Sequence, residues 1–174
     1  MPAAVALDTL IVSRDDIAAW ISTALVYPTG LVFELVLMRR APFPARALPR
    51  PWFMAPGDPD GPRFGVGFSD GRKATADRPG AHEGRPSIAL GSHGSSASDR
   101  RWTGRMWLWP LPPPGRLTFA FAWAEQGVRE TTVDVDAAPL AEAAARTRTL
   151  WPDDRPAAPE SPSAGGSWTG YAPA

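Results

Sequence analysis

The chain has 174 residues, a size that suits one domain with one hydrophobic core. Its 18 basic and 18 acidic residues balance, which makes nucleic acid an unlikely partner because nucleic-acid binders carry a basic footprint. The absence of cysteine excludes disulfides, thiolate metal sites and thiol catalysis. The start has no signal-peptide pattern and no apolar stretch reaches membrane-spanning length, so we expect a cytoplasmic protein without a membrane partner.

The first part of the chain predicts β-strands joined by a tight turn. Leu7 to Ser13 has a β-like pattern, and two apolar runs between Ile17 and Arg40 flank Tyr27-Pro28-Thr29-Gly30. Proline presets φ for the start of a turn, and glycine supplies the positive φ near its end. A helix is the competing interpretation, but Pro28 and Gly30 disfavour it. We therefore predict a hairpin whose second strand is apolar on both faces, as in the centre of a sheet.

The middle of the chain contains one hairpin signal between two irregular stretches. Seven prolines between 41 and 62 predict an irregular connection, because each removes a backbone donor. Phe64, Val66 and Phe68 then alternate with glycines before Asp70-Gly71, a strong hairpin signal. Those glycines, Gly65 and Gly67, leave room for another backbone, which we favour, or for a ligand. The stretch from 77 to 99 ends in a Gly/Ser run, which predicts a long mobile loop.

The last part predicts three strands, a helix and a tail. Trp102 to Leu111 and Arg116 to Trp123 flank a proline-rich connection, and a third run follows Gly127, so we expect a three-stranded meander. Asp136 is placed to cap a helix over 137–150. Residues 152–174 contain no Leu, Ile, Val, Phe or Met, which predicts a disordered tail.

The count and spacing of these elements indicate an all-β fold. Seven to nine short strands separated by turn signals are typical of a two-layer antiparallel β-sandwich, with a partly open barrel as the related possibility. We predict one such domain over residues 1–151, closed by the C-terminal helix and followed by the tail at 152–174.

Three groups of residues are candidates for catalysis or metal binding. Two histidines on a Gly/Ser-rich stretch lack the HExxH pattern, so we predict no metal site and no cofactor. The serines near His93 lack the GxSxG elbow that nucleophilic catalysis uses, so we predict no catalytic residues. Glu34 is either a catalytic acid or, as we favour, a carboxylate that pairs with arginine or meets solvent. The remaining members of these groups are His82, Glu83, Ser92, Ser95, Ser96, Ser98 and Asp99.

Tryptophan is the most distinctive feature, with eight in the chain. Trp107 and Trp109 share one strand face beside Arg105, and these three are our candidate residues for binding a ligand or partner. An exposed pair of indoles would stack sugars, bases or a proline-rich peptide. A buried pair would instead fill the core against Phe119 and Phe121 of the adjoining strand, which is the interpretation we favour.

Three segments together resemble a group of uncharacterised proteins from high-GC actinobacteria. The likeness covers most of Leu7 to Trp151 and implies a small soluble β-rich domain with a variable glycine-rich loop and a tail. It implies no activity and no catalytic residues. The segments are Tyr27-Pro28-Thr29-Gly30 before an apolar strand ending in Arg39-Arg40, Arg63-Phe64-Gly65-Val66 with Asp70-Gly71-Arg72-Lys73-Ala74-Thr75, and Trp107-Leu108-Trp109-Pro110-Leu111-Pro112-Pro113-Pro114-Gly115.

The absence of a supported catalytic constellation predicts a non-enzymatic binding or structural module with an unknown protein or small-molecule partner. One alternative is a small hydrolase that uses the 77–99 loop and Glu34. A further alternative is a small-ligand β-barrel with a cavity bordered by Trp107, Phe119 and Gly65.

Overall fold

A computed structural model describes residues 1–43, 61–76 and 88–150. These ranges confirm the predicted all-β fold with one short helix near the C-terminal end. The elements are β1 (Ala3–Ser13), β2 (Ile17–Tyr27), β3 (Gly30–Arg39), β4 (Pro62–Gly67), β5 (Lys73–Thr75), β6 (Ala89–Ala97), β7 (Arg101–Trp109), β8 (Arg116–Trp123), β9 (Val128–Asp136) and α1 (Ala138–Ala145).

The strands form two antiparallel sheets that do not close into one barrel. The five-stranded sheet has the order β1-β2-β3-β7-β6, and the four-stranded sheet has the order β5-β4-β8-β9. The core lies between their inner faces. Phe33 of the first sheet packs against Phe64 and Phe119 of the second, with ring centroids 5.9 and 5.6 Å away. This is the sandwich arrangement, with β3 as the middle strand of the larger sheet.

Both predicted hairpins are confirmed. Tyr27 pairs with Gly30 at the β2–β3 turn, and Gly67 pairs with Lys73 at the β4–β5 turn. In the second turn the Arg72 side chain donates a 2.8 Å hydrogen bond to Asp70, and this hydrogen bond lowers the pKa of the Asp70 carboxyl. Local turn chemistry therefore fixes both connections.

Gly65 in β4 is packed by backbone, as we favoured. A Cβ atom added there would lie 3.1 Å from the carbonyl oxygen of Ala74. The neighbouring strand β5 therefore occupies the space that the glycine leaves.

The predicted three-stranded meander is wrong. Strand β7 pairs with β3 and β6 in the five-stranded sheet, whereas β8 pairs with β4 and β9 in the other. The proline-rich connection at 110–115 thus crosses between the sheets. An alternating pattern identifies a strand but does not identify its partner, which depends on distant parts of the chain.

The predicted loop from 77 to 99 is wrong in its second half. Residues 89–97 form β6, an edge strand paired along its length with β7 and interrupted by a bulge at His93. Glycine and serine have low β-propensity, but pairing with a neighbouring strand overrides that preference. Residues 77–87 lie outside the described ranges.

The helix α1 is shorter than the predicted 137–150. Its N-cap residue is Ala137, so the prediction of Asp136 as the cap is wrong by one residue. The Asp136 carboxylate still accepts a 2.9 Å hydrogen bond from the backbone N–H of Ala138. Leu140 and Ala143 bury the helix against the core.

No helix within the described ranges has the length and apolar character to cross a membrane. The predicted tail at 152–174 lies outside these ranges.

Candidate functional site

The register of β7 decides which tryptophans are buried. Successive side chains of a strand point to opposite faces. Trp102, Met106 and Leu108 point inward and are buried, whereas Trp109 is 48% exposed and Trp107 is half-buried. Our preference for Trp107 and Trp109 as core residues is therefore wrong, and with it their expected pairing against Phe119 and Phe121.

The physical reason lies in Gly104 and in the composition of β7. Both alternating sets of β7 contain large apolar residues, so periodicity alone does not say which set faces the core. The Trp102 ring occupies the space that a side chain at Gly104 would need. Gly104 therefore gives the Trp102 indole a place inside the sandwich, and the alternating set that contains Trp107 and Trp109 faces outward.

The outward side of the five-stranded sheet, which we call the outer face, carries most of the exposed large apolar side chains of the described ranges. Of the seven large apolar side chains that are exposed in the described ranges, five lie on this face and are between 40% and 53% exposed. Val36 also lies there, between Trp20 and Thr103, and these neighbours leave it 1% exposed. Large apolar side chains that are grouped in exposed positions on one face mark a surface that another molecule can cover. The five residues are Leu10, Leu25, Tyr27, Met38 and Trp109.

One acid and one base stand near the centre of the outer face. Glu34 lies midway along the middle strand β3 and is directly opposite Arg105 of β7. The Ser22 hydroxyl donates a 3.3 Å hydrogen bond to Glu34. Within the described ranges no ion pair closer than 4.0 Å joins Glu34 to Arg105. The expectation that Glu34 meets solvent at a sheet face is confirmed, since it is half-buried there.

An open groove of about 280 Å³ runs beside this pair. It brings Glu34 together with His93 and Ser95, which are residues of the alternative hydrolase. No side-chain hydrogen bond joins these three residues in the described part of the chain. Activation of a serine by a base needs such a contact, so the groove provides polar surroundings without a nucleophile pair. The other lining residues are Gly94, Ser96, Thr103 and Arg105.

The remaining catalytic and metal candidates do not converge. Among the residues that the structure describes, no three His, Cys, Asp or Glu side chains are close enough to hold a metal ion. His82 and Glu83 lie outside the described ranges. Trp107 lies on the outer face while Phe119 is in the core, so the cavity proposed for a small-ligand barrel is not formed by these residues.

The side chains of the outer face are large on one side of the central strands and small on the other. Strand β2, next to the middle strand, carries three large outward side chains: Trp20, Leu25 and Tyr27. Strand β6, at the opposite edge, carries small ones apart from His93 at its bulge, which lines the groove. The Trp107 indole lies against this edge, because a Cβ atom added at Gly91 would be 2.6 Å from its Nε1. The small outward positions of β6 are Ala89, Gly91, Gly94 and Ser96.

Sequence reasoning found Trp109, Trp107 and Arg105 but missed the aliphatic half of the outer face. The signal was present, because β3 is apolar at Val32, Val36 and Met38 as well as on its inward side. A strand that is apolar on both faces is fully buried only when another layer packs on each face. In this sandwich the four-stranded sheet packs on one face of β3, and its other face has no such layer within the described ranges.

Comparisons with protein-family models, with curated proteins and with solved structures found no match to this chain. The resemblance to actinobacterial proteins stays a prediction.

Proposed function

We propose that this protein is a non-enzymatic interaction module that binds a polypeptide surface with the outer face of its five-stranded sheet. The observation that carries the proposal is the grouping of Leu10, Leu25, Tyr27, Met38 and Trp109 in exposed positions on one face. Burial of apolar area stabilises an association by roughly 25 cal/mol per Å² before the costs of ordering are subtracted. A partner that covers this face thus gains a driving force.

The composition of the face favours a polypeptide over a sugar or a base. Sugars and bases stack on aromatic rings, whereas three of the five exposed residues are aliphatic. Aromatic residues, methionine and arginine are enriched where proteins meet, and the outer face offers all three. Its groove is open, whereas small-molecule sites are concave and enclose most of their ligand.

The absence of a joined base and nucleophile among the described groove residues makes a hydrolase the weaker proposal. A cytoplasmic location and the absence of a membrane partner remain expectations from the lack of a signal-peptide pattern and of long apolar stretches, and the absence of a nucleic-acid partner remains an expectation from the charge balance. They are compatible with a module whose partner is another protein.

The proposal is tested by replacing aliphatic residues of the outer face. We expect Leu10→Thr, Leu25→Thr and Met38→Thr each to lower the free energy of unfolding by less than about 1 kcal/mol, because they are exposed and threonine suits a strand. The core control Leu37→Ala should cost roughly 2–5 kcal/mol. Urea unfolding at low protein concentration measures both.

A hydrophobic fluorescent dye supplies the second measurement. At protein concentrations low enough to keep the chain monomeric, the folded wild type should bind the dye, and the triple threonine variant should bind much less. If each threonine variant costs 2 kcal/mol or more, the face serves the fold of one chain and the proposal fails. Equal dye binding by the wild type and the triple variant would also contradict it.

A further inference from the structure

We propose that the occupant of the outer face is a second copy of this chain, stacked face to face about a two-fold axis. The inference rests on the proposed function and names the partner. The axis runs parallel to the strands, above the boundary between β3 and β7, so that it exchanges these two strands between copies. Such an interface is isologous, since each chain contributes the same surface.

The charges on the outer face complement themselves under this rotation. Because Glu34 and Arg105 are directly opposite on β3 and β7, exchanging the strands sets Glu34 of each copy over Arg105 of the other. Next to the axis each chain thus offers Glu34 and Arg105, and the pair of chains forms two reciprocal ion pairs there, while Arg101 lies further along β7 level with Met38. A charge buried at an interface needs such a partner to offset its loss of water. The formal net charge of zero also removes long-range repulsion between copies.

The shape of the outer face complements itself under the same rotation. The order β1-β2-β3-β7-β6 means that exchanging β3 with β7 also sets β2 over β6. Along the shared rows, Trp20 is level with Val36 and Thr103, and Thr103 is level with Ser96. The large side chains of β2 therefore meet the small positions of β6 in the other copy. Charge and shape, which are independent features, select the same axis.

The size of the outer face is close to what a stable dimer needs. In this arrangement β1 overhangs and the other four strands overlap, and at about nine residues each they present roughly 570 Å², near the lower end of the ~600–1,000 Å² per partner of a standard interface. Two stacked sheets also pack at a spacing of about 10 Å, which side chains of this size fill.

The test is a charge exchange followed by sedimentation velocity over a concentration series. The full-length wild type should sediment as a dimer at high concentration. Glu34→Arg alone and Arg105→Glu alone should each weaken dimerisation at least about 100-fold, because like charges then face each other across the axis. An equimolar mixture of the two variants should recover the dimer, since positions 34 and 105 then carry opposite charges across both contacts.

A matched control uses an exposed ion pair on the other sheet. Arg116 and Asp134 lie 3.9 Å apart on β8 and β9, so the single variants Arg116→Glu and Asp134→Arg make the same changes of charge away from the outer face. Both should dimerise like the wild type. Recovery in the mixture excludes misfolding as the cause of the single-variant defects, because misfolded chains would not restore each other.

Three outcomes would overturn the proposal. They are a wild type that stays monomeric at every concentration, single charge reversals that dimerise normally, and a mixture that stays monomeric. A monomeric wild type whose outer face still binds the dye leaves the interaction module standing with another partner. If the face binds the dye only after Trp168→Ser and Tyr171→Ser, the occupant is the chain's own C-terminal segment. A monomer whose triple threonine variant binds as much dye as the wild type removes the proposed function as well.

Discussion

The position of the Trp107 ring depends on the absence of a side chain at Gly91. Its indole lies over Gly91 of the neighbouring strand, at a distance that leaves no room for a Cβ atom. The ring is therefore half-buried against β6, while Trp109, two residues further along the same strand, is largely free. Gly91 thus lets the Trp107 ring pack close to β6, and this keeps the β6 edge of the outer face low. The large side chains of β2 from the second copy are proposed to pack against this edge.

Gly91→Ala should displace this ring. We expect the substitution to lower the free energy of unfolding by roughly 1–3 kcal/mol, as overpacking does, and to raise iodide quenching of tryptophan fluorescence. Urea unfolding and quenching measure the two effects. The control is Gly67→Ala, where the added atom would have its nearest neighbours at 3.7 Å and should be tolerated. Equal behaviour of the two variants would show that Gly91 does not position Trp107.

Strand β6 shows where prediction from sequence reaches its limit. The β2–β3 and β4–β5 hairpins were predictable because their turn residues act over four positions. The pairing of β7 with β3 and β6 joins residues that are distant in sequence, and nothing local encodes it. The same limit applies to the site: the shared face of Trp107 and Trp109 followed from alternation, but its outward direction depends on Trp102 lying over Gly104. The composition of β6, rich in glycine and serine, even indicated a loop.

Hydrogen exchange distinguishes a paired edge strand from a loop. Amides of β6 that donate to β7 should exchange at least about tenfold more slowly than in an unstructured peptide, because paired amides exchange only on local opening. Those on the free edge should exchange fast. NMR-detected exchange of residues 89–97 measures both sets, and uniformly fast exchange would contradict the assignment of this segment to a strand.

At the scale of the molecule, the two outer surfaces of the sandwich differ. The four-stranded sheet presents small and polar residues, and Thr118 of β8 donates a 2.6 Å hydrogen bond to Asp134 of β9. The five-stranded sheet presents leucine, methionine and aromatic rings around Glu34 and Arg105. The outer surface of the four-stranded sheet is therefore suited to contact with water, and that of the five-stranded sheet is suited to contact with another protein surface. This difference between the two outer surfaces, and not any catalytic group, is the basis of the proposed function.

Hydroxyl-radical footprinting over a concentration series tests most directly whether a second copy covers the outer face. Tyr27, Met38 and Trp109 are exposed in one chain and react readily, and Met1 is an exposed control because β1 overhangs the partner in the proposed dimer. As dimer forms, oxidation of the three face residues should fall several-fold while oxidation of Met1 stays constant. Unchanged oxidation of the three face residues in a sample that sediments as a dimer would contradict the account.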